Sequence, residues 1–304
     1  MNTDYKILVL YYSYTEKTKT LLDLFMEPTD KLDGVKVDYA RIKLKQEIPK
    51  PWPFVKFFAA FPEIVYEIPQ AIEDPDFAET KYDLIIYGHQ VWFLSPSTPT
   101  ASFFNSAYTS IFNDTPVITF MFSRKMWHQA QGRVETLIRD CGGRVINKVV
   151  VTAKGSQMKT FMDTRYNLLT EAKTDKRSWK AGQADIETTI KQGQQLAESI
   201  VQAKADRSMT PTFSDRSLAL SDEMFMGPER VQKKSFLRWG RAMIKYTDKN
   251  SRLRELVAIV FATQFIGRII LILPFWPMMF KIKTKLLRWP GSKEIVTIPD
   301  TGNR

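Results

Sequence analysis

Hydroxyl and cationic side chains cluster in the turn that follows the first apolar run of the chain. Ser13, Thr15 and Thr18 carry hydroxyl groups, and Lys17 lies among them. Residues 6–12 are predicted to form a buried strand, and a helical pattern begins at Lys17, so the turn leads into a helix N-terminus. Backbone N–H groups and the helix dipole make such a terminus suited to a phosphate. We predict that this turn binds a phosphate group.

Aromatic side chains follow the third and fourth predicted strands. Planar rings beside small polar residues suit a flat ligand ring with hydrogen-bonding edges. The candidate ring-binding residues are Gln90, Val91, Trp92 and Phe93 after the third strand, and Ser123, Arg124 and Trp127 after the fourth.

Both histidines of the chain lie beside these loops. His89 ends the third strand and His128 begins the helix after the fourth. Because imidazole titrates near neutral pH, each is a candidate general base; the alternative is that each only hydrogen-bonds a neighbouring loop. With one cysteine, Cys141, and two histidines, the sequence offers no zinc cluster, and no metal site is predicted. The Gly-x-Ser-x-Gly elbow of serine hydrolases is absent from the sequence.

Alternating strands and helices position these loops. Residues 6–12, 35–42, 82–88, 116–122 and 148–153 are the predicted strands, and helical segments separate them. The third and fourth runs are continuously apolar, which is typical of parallel strands covered on both faces. The sequence therefore predicts an open, doubly wound α/β sheet, in which ligands bind outside the carboxyl ends of the strands.

An aromatic segment follows the second strand and is expected on the ligand side of the sheet. Its residues are Trp52, Phe54, Phe57, Phe58 and Phe61. They have helical spacing, so ordinary core packing is one explanation. The other is an apolar lid that covers the ligand and suits an alkyl-chain substrate.

Positive charge is concentrated in the C-terminal third. The 304 residues carry a net charge of +11, and residues 206–304 contribute +9 of it, from 18 basic and 9 acidic side chains. A basic block of this kind usually contacts phosphates of nucleic acid or of lipid head groups. Residues 256–280 contain a single charge, Arg268. A nucleic-acid site would not require such a long, nearly uncharged segment beside it. We therefore predict an anionic membrane surface as partner, and no nucleic acid.

A basic amphipathic helix is predicted just before this apolar run. Phe236, Trp239, Met243 and Tyr246 share one helical face, and basic residues including Lys233 occupy the remaining surface. This pattern is typical of a helix that rests on an anionic membrane. The alternative is a helix that packs on the protein's own core.

The predicted organisation has three parts. Residues 1–205 form the α/β domain, residues 206–229 a linker, and residues 230–304 a membrane-associating extension. Because Arg268 is central and basic residues flank both ends of 256–280, we expect this segment to lie in one leaflet. Without a secretory signal at the N-terminus, the expected location is cytoplasmic, at the inner face of the membrane.

The turn after strand 1, the YDLIIYG strand with its aromatic loop and the order of the segments resemble the flavodoxin family. That resemblance implies a flavodoxin-like parallel sheet of order 2-1-3-4-5. It also implies bound FMN, with the first loop on the phosphate and the loops after strands 3 and 4 around the isoalloxazine. In one respect the chain departs from the family pattern [ST]-x-[ST]-G-x-[ST]: Glu16 stands at the glycine position. A flavodoxin-shaped scaffold without a cofactor is the open alternative.

Residues 50–63, 90–99 and 123–127 are similar to flavodoxin-like proteins named dialkylresorcinol condensing enzymes. This likeness implies a role in the biosynthesis of dialkylresorcinols and related lipid-like pigments such as flexirubins and aryl polyenes. The resulting hypothesis is an FMN-dependent oxidoreductase that aromatises a lipophilic dialkyl ring substrate. Two alternatives stay open: an electron-transfer flavoprotein, and a cofactor-free module that docks a ketosynthase to the membrane.

Overall fold

A parallel β-sheet forms the centre of the protein. The computed structural model describes residues 4–124, 126–153, 183–213 and 223–272. The strands are β1 (Tyr5–Tyr11), β2 (Val35–Arg41), β3 (Leu84–His89), β4 (Val91–Trp92), β5 (Ser95–Pro96), β6 (Pro116–Ser123) and β7 (Arg144–Thr152). Five of them form the main sheet in the order β2-β1-β3-β6-β7, and every neighbouring pair is parallel. The predicted flavodoxin-like topology is therefore confirmed.

Helices cover both faces of this sheet. They are α1 (Lys17–Asp30), α2 (Phe54–Ala59), α3 (Phe61–Val65), α4 (Thr98–Phe104), α5 (His128–Asp140), α6 (Gln183–Ala205), α7 (Glu223–Tyr246) and α8 (Arg252–Ile272). Phe25 of α1 and Leu196 of α6 pack in the core on one face, and Phe103 of α4 and Val134 of α5 pack in the core on the other. This coverage by helices explains why all six residues of the central strand β3 are buried.

The two C-terminal helices pack against the aromatic segment that follows β2. Phe58 and Phe61 form one buried cluster with Phe236 of α7 and Phe261 of α8. The alternative of a helix packed on the protein's own core therefore holds for α7, since Phe236 and Met243 are buried within the chain. Tyr246, at the end of this face, is 67% exposed.

Buried ionic contacts fix the C-terminal helices as well. Arg254 of α8 donates to Glu63 of α3 at 3.0 Å, and both side chains are nearly inaccessible to solvent. Lys233, which was predicted on the exposed basic side of its helix, is buried instead. That prediction is wrong because the helix presents this lysine to the hairpin formed by β4 and β5.

The predicted linker contains helical residues, because α7 begins at Glu223. Residues 214–222 of that stretch, and residues 273–304 of the extension, lie outside the described part of the chain. Within the described ranges, none of the helices combines the length and the hydropathy that a transmembrane span requires. The division into an α/β domain, a linker and an extension stays a prediction.

We expect Gly193→Ala to lower the free energy of unfolding by about 1–3 kcal/mol through overpacking. A methyl group at Gly193 of α6 would lie 2.1 Å from the carbonyl oxygen of Phe25, which belongs to the backbone of α1. Gly267→Ala in α8 is the matched control, because nothing lies within 4 Å of the added atom. The control should gain about 0.5–1 kcal/mol from helix propensity. Urea unfolding of both variants tests this, and equal stabilities would show that α1 and α6 do not approach so closely.

Candidate functional site

The candidate site lies where the strand order reverses. β1 has β2 on one side and β3 on the other, with Tyr11 opposite Arg41 in β2 and Gly88 in β3. Beyond these residues the chain leaves β1 for α1 and leaves β3 for the β4–β5 hairpin. A crevice outside the carboxyl ends of parallel strands is the usual ligand site of this topology.

The turn between β1 and α1 contains a residue whose backbone conformation usually favours glycine. Glu16 precedes α1 and has φ 57°, in the left-handed region that glycine enters without a steric cost. Ser13 and Thr18 are buried at this turn, whereas Thr15 and Lys17 are partly exposed. The hydroxyl of Ser13 accepts a hydrogen bond from the Lys19 N–H at 3.4 Å.

The Glu16 carboxylate is paired with two cations at the surface. Its Oε1 lies 2.9 Å from Nη2 of Arg41 and 3.7 Å from Nζ of Lys50. Arg41 also donates to the carbonyl oxygen of Ser13 at 2.7 Å, which fastens the turn to the end of β2. These contacts offset the negative charge that Glu16 adds beside the turn.

Gln90 connects this turn to the loop after β3. Its Oε1 accepts from the Tyr14 N–H at 3.2 Å, and its Nε2 donates to the Thr18 hydroxyl at 3.4 Å. Gln90 was predicted to contact a ligand ring. In the structure it holds the two loops together, so its position is beside the turn at residues 13–18.

Aromatic rings pack against one another next to Gln90, in one of the hydrophobic clusters of the core. The Trp92 ring is centred 5.4 Å from that of Trp52, 5.9 Å from Tyr12 and 6.3 Å from Tyr14. Phe57 stacks on Phe93 at 4.6 Å. Trp52 and Phe57, both from the predicted lid, therefore meet the predicted ring-binding loop.

The rest of the predicted lid faces the C-terminal helices. Phe58 pairs with Phe54 at 4.8 Å and with Phe261 at 6.0 Å, and Phe61 lies 5.2 Å from Phe236. Of the two explanations for this aromatic segment, core packing accounts for these three residues. The rings of Phe58 and Phe61 also contact Phe93 of the predicted ring-binding loop, at 5.6 and 5.0 Å.

The β4–β5 hairpin turns through two bulky residues in the left-handed region. Phe93 has φ 48° and Leu94 has φ 59°, and such conformations carry a cost of about 1–2 kcal/mol per residue. Burial of Leu94 and the contacts of Phe93 with Phe57 and Phe61 offset this cost. Lys233 of α7 donates to the Ser95 hydroxyl at 2.5 Å, which anchors the other end of the hairpin.

His89 is fully buried at the end of β3. Its Nε2 lies 2.9 Å from Oε1 of Gln131. Since the Gln131 amide nitrogen donates to Thr119 and Glu135, Oε1 is the acceptor and His89 Nε2 carries the proton. Within the described part of the chain, Nδ1 has no hydrogen-bond partner. Burial lowers the pKa of His89 from 6.5 to about 4, so the ring is neutral at neutral pH.

His128 forms a pair with a carboxylate from α7. Its Nδ1 lies 3.3 Å from Oε2 of Glu229, and the ring stacks on Trp127 with centroids 4.0 Å apart. Glu229 also accepts from the backbone N–H groups of His128 and Gln129, at 3.2 and 2.7 Å. The buried carboxylate thus caps the N-terminus of α5 and orients the imidazole. A proton on Nδ1 leaves Nε2 as the basic nitrogen.

Glu229 and Lys233 were not identified from the sequence as site residues. They are spaced i, i+4 on α7, and each contacts a loop at the rim of the sheet. Burial lowers the pKa of Lys233 to about 8, and the carboxylates of Glu67 and Glu229 oppose this shift. The i, i+4 spacing of Glu229 and Lys233 is the one signal in the sequence that could have indicated that both face the same part of the protein.

The remaining predicted residues lie at the end of β6. Ser123 ends the strand, and Arg124 follows it, with its pKa lowered by burial to about 10. Trp127 is buried in a cluster with Met121, and Val91 of β4 packs against that cluster. The structure thus places Trp127 beside the β4–β5 hairpin. The roles of Ser123, Arg124 and Trp127 toward a ligand, like those of His89 and His128, stay predictions.

Comparison with known proteins adds distant structural matches. No protein-family profile matches the chain, and no curated protein is significantly similar to it. A structure described as a flavoprotein of Bacteroides uniformis shares 17% identity, over 54% of this chain and 99% of its own, with a TM-score of 0.39. An archaeal flavodoxin shares 12%, over 64% and 99%, with a TM-score of 0.36. Flavodoxin 1 of Bacillus cereus shares 12%, over 67% and 99%, with a TM-score of 0.35. The flavodoxin-like assignment itself rests on the strand order and the parallel pairing.

The buried His89 predicts a loss of stability in acid. The unfolded chain binds a proton at this residue below pH 6.5, but the folded protein binds it only below about 4. The stabilisation that depends on neutral His89 is therefore complete above pH 6.5. Between pH 6.5 and 4 the free energy of unfolding falls, by up to about 3 kcal/mol from this residue.

Urea unfolding at several pH values in this window measures the effect. His89→Gln does not titrate there, so its unfolding free energy should depend less on pH than that of the unsubstituted protein. Parallel pH profiles for the two proteins would show that His89 is accessible to protons in the folded state.

Proposed function

We propose that this protein binds FMN at the rim between β1 and β3 and uses it to oxidise a lipophilic ring substrate. The observation that carries the proposal is the turn at residues 13–18. It combines buried Ser13 and Thr18 hydroxyls, a helix N-terminus and a left-handed residue at position 16. This is the set of features by which a backbone turn binds a phosphate.

The charges near the turn support an anionic ligand. Three cations lie near the turn. Arg41 and Lys50 are paired with the Glu16 carboxylate, and Lys19 is paired with Asp23 at 2.5 Å. Since the Glu16 carboxylate is already paired with Arg41, it does not stand as an isolated negative charge beside the phosphate. Gln90 holds the turn in place through Tyr14 and Thr18, so little ordering is required when a phosphate binds.

The crevice beside the turn supports a flat, apolar ring. Trp92 and Phe93 come from the hairpin, and Trp52 and Phe57 come from the segment after β2. Aromatic side chains of this kind bind planar rings and exclude water. The same apolar surface suits an alkyl-bearing substrate next to the flavin.

FMN, when bound, supplies a two-electron acceptor, which conversion of a cyclohexanedione ring to a resorcinol requires. The substrate must also lose a ring proton. His128 is the better-placed base, because the Glu229 carboxylate orients its imidazole and leaves Nε2 to take the proton. His89 is less suited, since its buried ring has a pKa of about 4.

We place this reaction in dialkylresorcinol-type lipid or pigment biosynthesis, on the resemblance of residues 50–63, 90–99 and 123–127 to dialkylresorcinol condensing enzymes. A ketosynthase that makes the alkyl-ring precursor is the proposed partner. A long-chain substrate partitions into lipid, and this favours a cytoplasmic enzyme at the inner face of the membrane.

The test is titration of the purified protein with FMN, in which binding is measured by the quenching of flavin fluorescence. Glu16→Gly should bind FMN about fivefold more tightly, because glycine adopts φ 57° without strain and frees Arg41 for the phosphate. Thr18→Val should bind about tenfold more weakly through loss of a hydroxyl donor. Glu47→Gly removes the same charge from an exposed loop and should leave the affinity unchanged.

Failure of the protein to bind FMN supplied in excess would refute the proposal. The cofactor-free module that docks a ketosynthase to the membrane would then be the better hypothesis. If FMN binds, a synthetic 2,5-dialkylcyclohexane-1,3-dione should bleach its absorbance without oxygen and yield the resorcinol. If the protein binds FMN but does not oxidise the dione, the better hypothesis is an electron-transfer flavoprotein.

A further inference from the structure

The outward face of α8 is uncharged along most of its length. Leu256, Val260, Ile270 and Leu271 are 61%, 59%, 53% and 71% exposed, and Ile259 lies on the same face. Thr263 and Gly267 fill the positions between them, and the charged side chains of this stretch that reach solvent, Glu255 and Arg268, lie at the margins of the face. The surface side of a helix in a water-soluble domain normally carries polar and charged residues.

The opposite face of α8 is already packed. Ala258, Phe261 and Ala262 are buried in the cluster with α2, α3 and α7, and Arg254 is paired with Glu63. These contacts fix the rotation of the helix, so its apolar outward face cannot turn inward while the fold is intact. Leu253 to Leu271 extends for about 27 Å at 1.5 Å per residue. A continuous apolar strip of this length is typical of an interaction surface.

The charges around the strip select its partner. Residues 223–272 contain 10 basic and 4 acidic side chains. Arg252 and Arg268 are exposed on α8, and Arg241, Lys245 and Lys249 are exposed on α7 and the loop that follows it. A second copy of this chain would bring the same positive charge against it, which disfavours a symmetric dimer. An anionic surface is complementary to it.

We propose that α8 docks this protein on an anionic lipid bilayer, with the Leu256–Val260–Leu271 strip among the acyl chains and the basic side chains at the phosphates. The helix would lie along the interface, as interfacial amphipathic helices do. The proposal does not depend on FMN binding. It assigns the membrane contact that the sequence predicts for this region to α8, because the aromatic face of α7 is buried inside the protein.

Flotation of the full chain with vesicles tests the proposal. The protein should float with phosphatidylcholine vesicles that contain phosphatidylglycerol and stay at the bottom with phosphatidylcholine alone. Raising the salt concentration should weaken binding several-fold, because part of the attraction is between exposed charges.

The Leu256→Asp/Val260→Asp double variant should bind the anionic vesicles at least about tenfold more weakly. Val201→Asp is the matched control, because Val201 is a 53% exposed residue of α6 outside the strip, and it should bind like the unsubstituted protein. Circular dichroism and thermal unfolding of both variants check the fold.

A second measurement avoids charged substitutions. In a Cys141→Ser background, a polarity-sensitive fluorophore on Val260→Cys should shift to the blue with anionic vesicles, and the same fluorophore on Val201→Cys should not shift. Three results would overturn the proposal: no flotation of the full chain, equal flotation of the double variant, or a dimer that the double variant dissociates without any lipid binding.

Discussion

The reversal of strand order at β1 is the constraint on which the site depends. Because β1 pairs with β2 on one side and β3 on the other, the connections after β1 and β3 lead to opposite faces of the sheet, and ligands usually bind between such connections. At this point Gly88 lies opposite Tyr11, and an added Cβ would approach Leu22 to 2.6 Å and Tyr11 to 2.8 Å. The turn at residues 13–18, the β4–β5 hairpin and the start of α5 all lie at this edge of the sheet.

The C-terminal helices contact this rim directly. One turn of α7 contacts two of its loops, through Glu229 at the N-terminus of α5 and Lys233 at Ser95. Buried charges without partners would strongly destabilise the fold, so these contacts specify how α7 docks. Since α8 follows α7 and shares its aromatic cluster, the docking of α7 also determines which face of α8 meets solvent.

Periodicity and composition predicted much of the architecture. The continuous apolar runs predicted β3 and β6, and the hydroxyl-rich turn before α1 was located correctly, including the unusual Glu16. The bounds of the helices between the strands were not all predicted: α4 ends at Phe104, and a separate 3₁₀ turn, Ala107–Phe112, follows it. Such boundaries depend on tertiary contacts that local propensity does not contain.

Long-range contacts were beyond sequence reasoning. Glu229 caps a helix about 100 residues earlier in the chain, and nothing near it in sequence indicates that partner. Helical periodicity showed that α7 has two faces but not which of them packs, so Lys233 was placed in solvent. The hairpin turn at Phe93 and Leu94 lacks the Gly and Asn residues that usually mark left-handed turns. It forms because burial of Leu94 and the contacts of Phe93 with Phe57 and Phe61 offset the backbone cost.

The central claim is that the turn at residues 13–18 holds the phosphate of a flavin. Isothermal titration calorimetry with FMN and with riboflavin tests it most directly, because the two ligands share the ring and differ in the phosphate. If the turn binds the phosphate, FMN should bind at least about a hundredfold more tightly than riboflavin. Equal affinities for the two ligands, or no binding of FMN, would contradict the claim.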